Sequence, residues 1–273
     1  MDSVKKAGIS GAMIEVENLA LTLGKVEILH SLTLFARAGQ ITSIIGTNGS
    51  GKTTLVKALS GELRYSGKIK FNGDDIALKR PDEMALIRAV LPQSMGLSFP
   101  FLVREVVALG LSASLYSSEM KRSLPEKALE KVDLSGYEGR FYQELSGGEQ
   151  ARVQLARVLC QIWEPVIDGN PCWLLLDEPV ASLDIRHQLM VMDIARDFAK
   201  AGGGVLTILH DLNLAAHYSD KIIVLDHGHI VKEGAPRDVL TTDLLHNVYH
   251  CKLIVGKIPA EGIPFVLPQS GSP

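Results

Sequence analysis

The chain has 273 residues, of which 46% are hydrophobic and 22% charged, with a formal net charge of −3. That length supports one large α/β domain or two small ones, and the small net charge supplies no bulk field that would gather nucleic acid. Cys160, Cys172 and Cys251 lack CxxC spacing, which implies buried reduced thiols and neither a disulfide framework nor a zinc site.

The opening MDSVKKAGISG lacks the apolar block of a signal peptide, and no run is long enough to cross a bilayer, so a cytoplasmic chain is expected. Two alternating runs between residues 13 and 38, IEVENLALTL and ILHSLTLFA, predict half-buried antiparallel strands, and GKIKF at 67–71 continues the pattern. ITSII is a short apolar run of the buried parallel type. It leads into Gly46, Thr47, Asn48, Gly49, Ser50, Gly51, Lys52, Thr53 and Thr54, which open the apolar run LVKAL. Strand, GxxxxGKT and helix in register form a phosphate-binding loop. Its glycines let backbone N–H groups converge on phosphate oxygens at a helix N-terminus. Lys52 is assigned to the β- and γ-phosphates, and the Thr53 hydroxyl to Mg2+.

Between about 94 and 144 the pattern turns helical, in VREVVALGLSASLY and MKRSLPEKALEKVDL, which reads as a helical insertion. Ser146, Gly147 and Gly148 then precede the helical run GEQARVQLARVLCQ and make a second helix-N-terminal anion site. DGNP at 168–171 is a turn cluster. CWLLLD is a buried strand that delivers Asp177 and Glu178 at its end, where Asp177 would hold Mg2+ and Glu178 would polarise an attacking water. A helix-capping pair is the alternative reading of these two carboxylates. GVLTIL is a further buried strand and ends at His210, while VLDHGHIVKEG contains a hairpin turn at 227–229. His246 and His250 are four apart and would share a helix face, but Cys251 would point elsewhere, so no metal site is expected. The stretch from about Asp243 is expected to pack on the core, with loose ends at MDSVKKAGISG and PQSGSP.

Leu145-Ser146-Gly147-Gly148-Glu149-Gln150, lying between the phosphate loop and the WLLLDEP segment, resembles the ABC ATPases. The resemblance implies an α/β fold: a P-loop NTPase core with an antiparallel β subdomain and a helical insertion, the ABC ATPase cassette. Within a single domain spanning 1–273, the core would take 13–93 and 145–242, the insertion 94–144, and a short extension 243–273. It also implies that Gln93 senses Mg2+ and water and that His210 contacts the γ-phosphate. Ser146, Gly147, Gly148 and Glu149 would cap an ATP held by the opposite subunit of a homodimer, and Ser182 and Asp184 resemble the D-loop that crosses to that subunit. ATP and Mg2+ are the implied ligands. One residue departs from the pattern: where the family stacks an aromatic on adenine, spacing places Leu23, so looser adenine binding is expected.

The wording RAVLPQSMGLSFPFLVREVVALG and the spacer QIWEPVIDGNPCWLLLDEPVASLDIRHQ resemble the ATPase subunits of bacterial haem importers, in the class that also imports ferric siderophores and vitamin B12. A siderophore or vitamin B12 importer is therefore the alternative. Such subunits pair with a two-copy integral membrane permease, and indirectly with a periplasmic substrate-binding protein, at the cytoplasmic face of the inner membrane. A non-transport ABC ATPase fits less well. About ninety residues without heptads separate P-loop and signature, against the long heptad repeats of a chromosome-structuring ATPase, and one cassette is present where ribosome-associated factors have two. No nucleic acid is expected as a partner.

Overall fold

The computed structural model describes residues 12–93, 96, 99–259 and 263–270. In chain order the elements are β1 (Met13–Leu23), β2 (Val26–Arg37), β3 (Ile41–Ile45), α1 (Lys52–Leu59), β4 (Ser66–Phe71), β5 (Asp74–Asp75), α2 (Pro81–Ile87), β6 (Arg88–Leu91), α3 (Val103–Ala108) and α4 (Ser118–Lys131). They continue with α5 (Gly147–Gln161), β7 (Val166–Ile167), β8 (Asn170–Pro171), β9 (Trp173–Asp177), α6 (Ile185–Lys200), β10 (Gly204–Ile208), α7 (Leu212–Tyr218), β11 (Lys221–Asp226), β12 (His229–Gly234), α8 (Pro236–Val239) and α9 (Thr242–Asn247).

The alternating runs form a four-stranded antiparallel sheet ordered β2-β1-β4-β5, with Ile14 opposite Ala36 and Val16 opposite Leu34. The apolar runs form a six-stranded sheet ordered β12-β11-β3-β10-β9-β6, whose four pairings from β11 to β6 are parallel and whose β12 edge is antiparallel. Period-2 alternation divides this sheet between two cores. Trp173, Leu175, Leu206, Ile208 and Ile44 pack with α1 and the antiparallel sheet, while Leu174, Leu176, Val205, Ile41 and Ile45 pack with α5, α6 and α7. Trp173 is fully buried, edge-on to Phe71 at 6.0 Å, with its indole N–H donated to the Asn72 amide oxygen at 3.0 Å.

α3 and α4 pack against α5, as the helical periodicity implies, and Leu102 and Phe141 bridge the base of this unit. Residues 94, 95, 97 and 98, assigned to the start of the insertion, lie outside the described residues, as does the opening segment 1–11. Among the described residues no helix is long and apolar enough to cross a membrane. The DGNP cluster turns between β7 and β8, and His227 (φ 43°) with Gly228 (φ 74°) forms the two-residue turn between β11 and β12.

Three expectations about the C-terminal part need correction. α9 ends at Asn247 and His250 lies beyond it in the left-handed region (φ 54°), so His246 and His250 share no helix face. Cys251 is exposed, whereas Cys160 and Cys172 are buried, with burial pushing both of those thiols up to about 12. The stretch after Asp243 packs on the core only as far as Val248 and Tyr249; Leu253, Ile254, Val255 and Ile258 are exposed. Val255 N–H donates to the Thr242 hydroxyl at 3.2 Å, and the Gln269 amide donates to the Asn213 carbonyl at 3.0 Å.

Candidate nucleotide site

Register alone brings the site together. Leu91 pairs with Leu176, Asp177 with Ile208, and Ile208 with Ile44. The residues that follow each strand therefore meet at one sheet edge: Gln93 after β6, Glu178 after β9, His210 after β10 and the glycine loop after β3. Carboxyl ends of parallel strands are where open α/β sheets bind ligands.

The loop backbone is held in a form that needs glycine. Gly46 has φ 148° and a Cβ there would run into the Leu225 carbonyl; Gly51, the N-cap of α1, has φ 101° and packs on Leu29 and the Ile28 carbonyl. Lys52 folds back over the loop, its Nζ donating to the Thr47 carbonyl at 2.7 Å and the Gly46 carbonyl at 3.0 Å. Burial pulls its pKa below the usual lysine value, against the opposing pull of Glu178 and Asp177. An ammonium in that position gains from any incoming anion.

Asp177 continues the face of β9 that carries Trp173 and Leu175, and so points toward α1. Its carboxylate accepts from the Thr53 hydroxyl at 3.3 Å. Burial raises its pKa above the ordinary carboxylate value; the Thr53 hydrogen bond opposes that shift and the neighbouring Glu178 adds to it. Glu178 leaves the strand with φ 53°, a left-handed conformation uncommon outside glycine. Its Oε1 lies 2.6 Å from His210 Nε2, and its Oε2 accepts from the Gln93 amide at 2.9 Å. The helix-capping alternative for this pair falls, because the next helix, α6, is capped by Asp184.

A cavity of about 630 Å³ opens over this edge, lined by Asn48, Gly49, Gly51, Lys52, Thr53, Thr54, Gln93, Glu178, His210 and Ile28. Gly46, Thr47 and Ser50 shape the loop from behind, with the Thr47 hydroxyl donated to Asp226 at 3.3 Å. Ile28 and Asp226 carry no motif and the sequence reading missed them. Alternation in β2, with Leu29 in the core and Ile28 on the opposite face, is the one signal that bears on Ile28. Leu23, expected at the adenine position, is 44% exposed at the end of β1 and is not part of the cavity lining.

Ser146 caps the 15-residue helix α5. Its backbone N–H donates to Glu149 at 2.8 Å and its hydroxyl lies 2.7 Å from the same carboxylate, a reciprocal capping box that holds Glu149 below the usual carboxylate range. Ser146, Gly147, Gly148 and Glu149 lie outside the lining of the phosphate-loop cavity. Ser182 and Asp184 form the loop into α6, and a Cβ on Gly148 would come within 3.1 Å of the Ser182 carbonyl, so loop and signature turn lie back to back.

Residues 29–181 match the ABC transporter family. The chain belongs to that family. A curated relative from Bartonella quintana, named "Hemin import ATP-binding protein HmuV", is 58% identical over 262 residues, covering 95% of this chain and 99% of that one. The protein of the same name from Mesorhizobium japonicum is 56% identical over 262 residues, covering 94% and 99%. A solved structure described as the ATP binding subunit of an ABC transporter superposes with a TM-score of 0.74 at 24% identity, over 83% of this chain and 91% of that one. The chain is thus an ATP-binding subunit with the ABC ATPase fold.

Proposed function

We propose that the chain is the ATP-hydrolysing subunit of an importer that takes up haem through a membrane permease. The observation that carries the hydrolytic part is the Glu178 carboxylate, held between Gln93 and His210 at the mouth of the phosphate-loop cavity. The loop N–H groups and Lys52 bind the β- and γ-phosphates. Glu178 accepts the proton of the attacking water, while His210 and Gln93 fix the direction of its oxygens.

The donor set suits Mg2+: the Thr53 hydroxyl and the Asp177 carboxylate are hard oxygen ligands already 3.3 Å apart, with the Gln93 amide oxygen as a third candidate. Bound there, the ion would neutralise charge building on the β- and γ-phosphates. Thr53 and Asp177 would then exchange their mutual hydrogen bond for the shared ligand.

Ser146, Gly147, Gly148 and Glu149 have no nucleotide of their own to bind, because they lie outside the cavity of their own chain. Two copies arranged head to tail would place each signature turn over the other's γ-phosphate, with Ser182 and Asp184 at the crossing point. The division of the chain into a core at 13–93 and 145–242, an insertion at 94–144 and an extension from 243 goes with this arrangement, because it lets the permease contact the insertion. The subunit would sit peripherally at the cytoplasmic face of the inner membrane, and a periplasmic binding protein would deliver substrate from the other side. The haem assignment follows the printed names of relatives that span nearly the whole chain. Haem itself would not meet this subunit. Reconstitution with its permease tests the substrate: haem-stimulated ATP hydrolysis supports the assignment, and stimulation by vitamin B12 or a ferric siderophore alone replaces it.

A further inference from the structure

Behind the signature turn, three elements meet at one histidine. His187, in the first turn of α6, has a side chain only 16% exposed, and each ring nitrogen faces a carboxylate. Nδ1 lies 2.9 Å from both Asp184 oxygens, and Nε2 lies 3.4 Å from Asp133 Oδ2. Asp184 closes the loop that starts at Ser182. Asp133 follows α4 in the helical unit, in a left-handed conformation with φ 59°.

The Asp133 end is anchored in turn to the signature helix. Arg152 of α5, itself buried, donates through one terminal nitrogen to the Val132 carbonyl at 3.0 Å and the Asp133 carbonyl at 2.7 Å. Arg186 reaches Asp133 at 3.1 Å, while the His187 imidazole faces both Asp133 and Asp184 and so is the group that joins the two carboxylates. At the other end, the Gln188 amide donates to the Leu183 carbonyl at 3.0 Å and holds the loop to the start of α6. Asp184 needs only its own oxygen to accept the His187 backbone N–H at 2.9 Å and cap α6. The ring therefore adds a connection that the cap does not require.

We propose that His187 is a positioning residue, which ties the Ser182–Asp184 loop to the signature helix through Asp133 and fixes these two elements as one unit. In the dimer proposed above, that unit is what each chain presents to its partner's nucleotide. Loosening it costs turnover and leaves the chain's own phosphate loop intact, because His187, Asp184, Asp133 and Arg152 all lie outside the lining of that cavity. Misplaced partner groups cost rate more than affinity when they act only as the transition state is assembled.

The test measures steady-state ATP hydrolysis and nucleotide affinity of the full chain for His187→Ala, Asp133→Ala, the double variant and Asp133→Asn, with unfolding temperatures in parallel. His187→Ala should lower kcat about tenfold with KM and ATP affinity within twofold of the unsubstituted chain. The double variant should be no slower than the slower single one, because both remove the same link. Asp133→Asn keeps an acceptor oxygen and should restore most of the rate lost in Asp133→Ala. Should His187→Ala not fold, the two Asp133 variants make the same comparison from the other end. Unchanged kcat, an equal fall in ATP affinity, or additive losses in the double variant would overturn the positioning role while leaving the ATPase reading in place. Absence of turnover in the unsubstituted chain would overturn the ATPase reading and this role with it.

Discussion

Glu178 and His210, thirty-two residues apart, meet at 2.6 Å because β9 and β10 run parallel with Asp177 opposite Ile208. The contact ties the carboxylate that begins one loop to the imidazole that begins the next. Gln93 donates to its other oxygen at 2.9 Å, so each oxygen of Glu178 has a partner from a different loop. In the proposed mechanism, a γ-phosphate that draws His210 toward itself would free Oε1 to take a proton from water.

Glu178→Gln keeps the shape of the side chain and removes the base. Turnover should fall by roughly 10²- to 10⁴-fold, the usual loss for a positioned general base, while ATP binding persists. Size-exclusion chromatography with ATP should then show an accumulated dimer. Turnover equal to that of the unsubstituted chain would place the base elsewhere.

Lys52→Ala removes the ammonium that folds over the loop, and ATP affinity itself should drop with nucleotide-dependent dimerisation. A pH dependence follows from the burial of Lys52. Phosphate binding requires the charged form, and burial already pulls the Lys52 pKa below the usual lysine value. ATP affinity should therefore weaken with rising pH before that value is reached, and binding at alkaline pH should take up protons as the phosphates restore the charge. Titration calorimetry in buffers of different ionisation enthalpy reads this directly. A proton uptake of zero across the alkaline range would show that Lys52 stays fully charged in the free protein.

Ser146→Arg should leave ATP binding to the isolated chain nearly unchanged and abolish hydrolysis, because the added cation blocks a partner's γ-phosphate from the turn. A photoreactive ATP held by one chain should cross-link near Ser146 of the other. Labelling confined to the chain that holds the nucleotide would remove the head-to-tail arrangement.

Ile28 lines the cavity while Leu23 does not, which makes Ile28 of β2 the candidate for the adenine contact. Ile28→Ala should weaken ATP binding by about tenfold, since removing the apolar surface of a buried aliphatic side chain costs about 1.5 kcal/mol. Leu23→Tyr, in contrast, should change affinity little unless the new ring reaches the cavity. A large gain from Leu23→Tyr with no loss from Ile28→Ala would return the adenine contact to β1.

Much of this architecture was legible in the sequence because the signals were local. Period-2 alternation at 13–38, apolar runs that end in Asp177 and His210, and glycines at positive φ in the phosphate loop each specify one backbone arrangement. The residues that escaped are those whose roles depend on register between distant strands. Ile28 reaches the cavity only because β2 packs beside the Gly51 N-cap, and Asp226 meets Thr47 across 179 positions. The spacing of His246 and His250 is a separate case. Spacing four apart implies a shared face only while the helix continues, and α9 stops at Asn247 before His250 is reached. His187 carries no motif of its own, and its second partner, Asp133, lies 54 positions away.

In the proposed function, ATP hydrolysis at Glu178 energises haem import. It is tested most directly by ATP-driven haem accumulation in lipid vesicles that hold the permease, with either this chain or its Glu178→Gln variant bound and the haem-loaded binding protein supplied. Accumulation should require ATP with the unsubstituted chain and stop with Glu178→Gln. Haem transport that continues at the same rate with Glu178→Gln would contradict the proposed function.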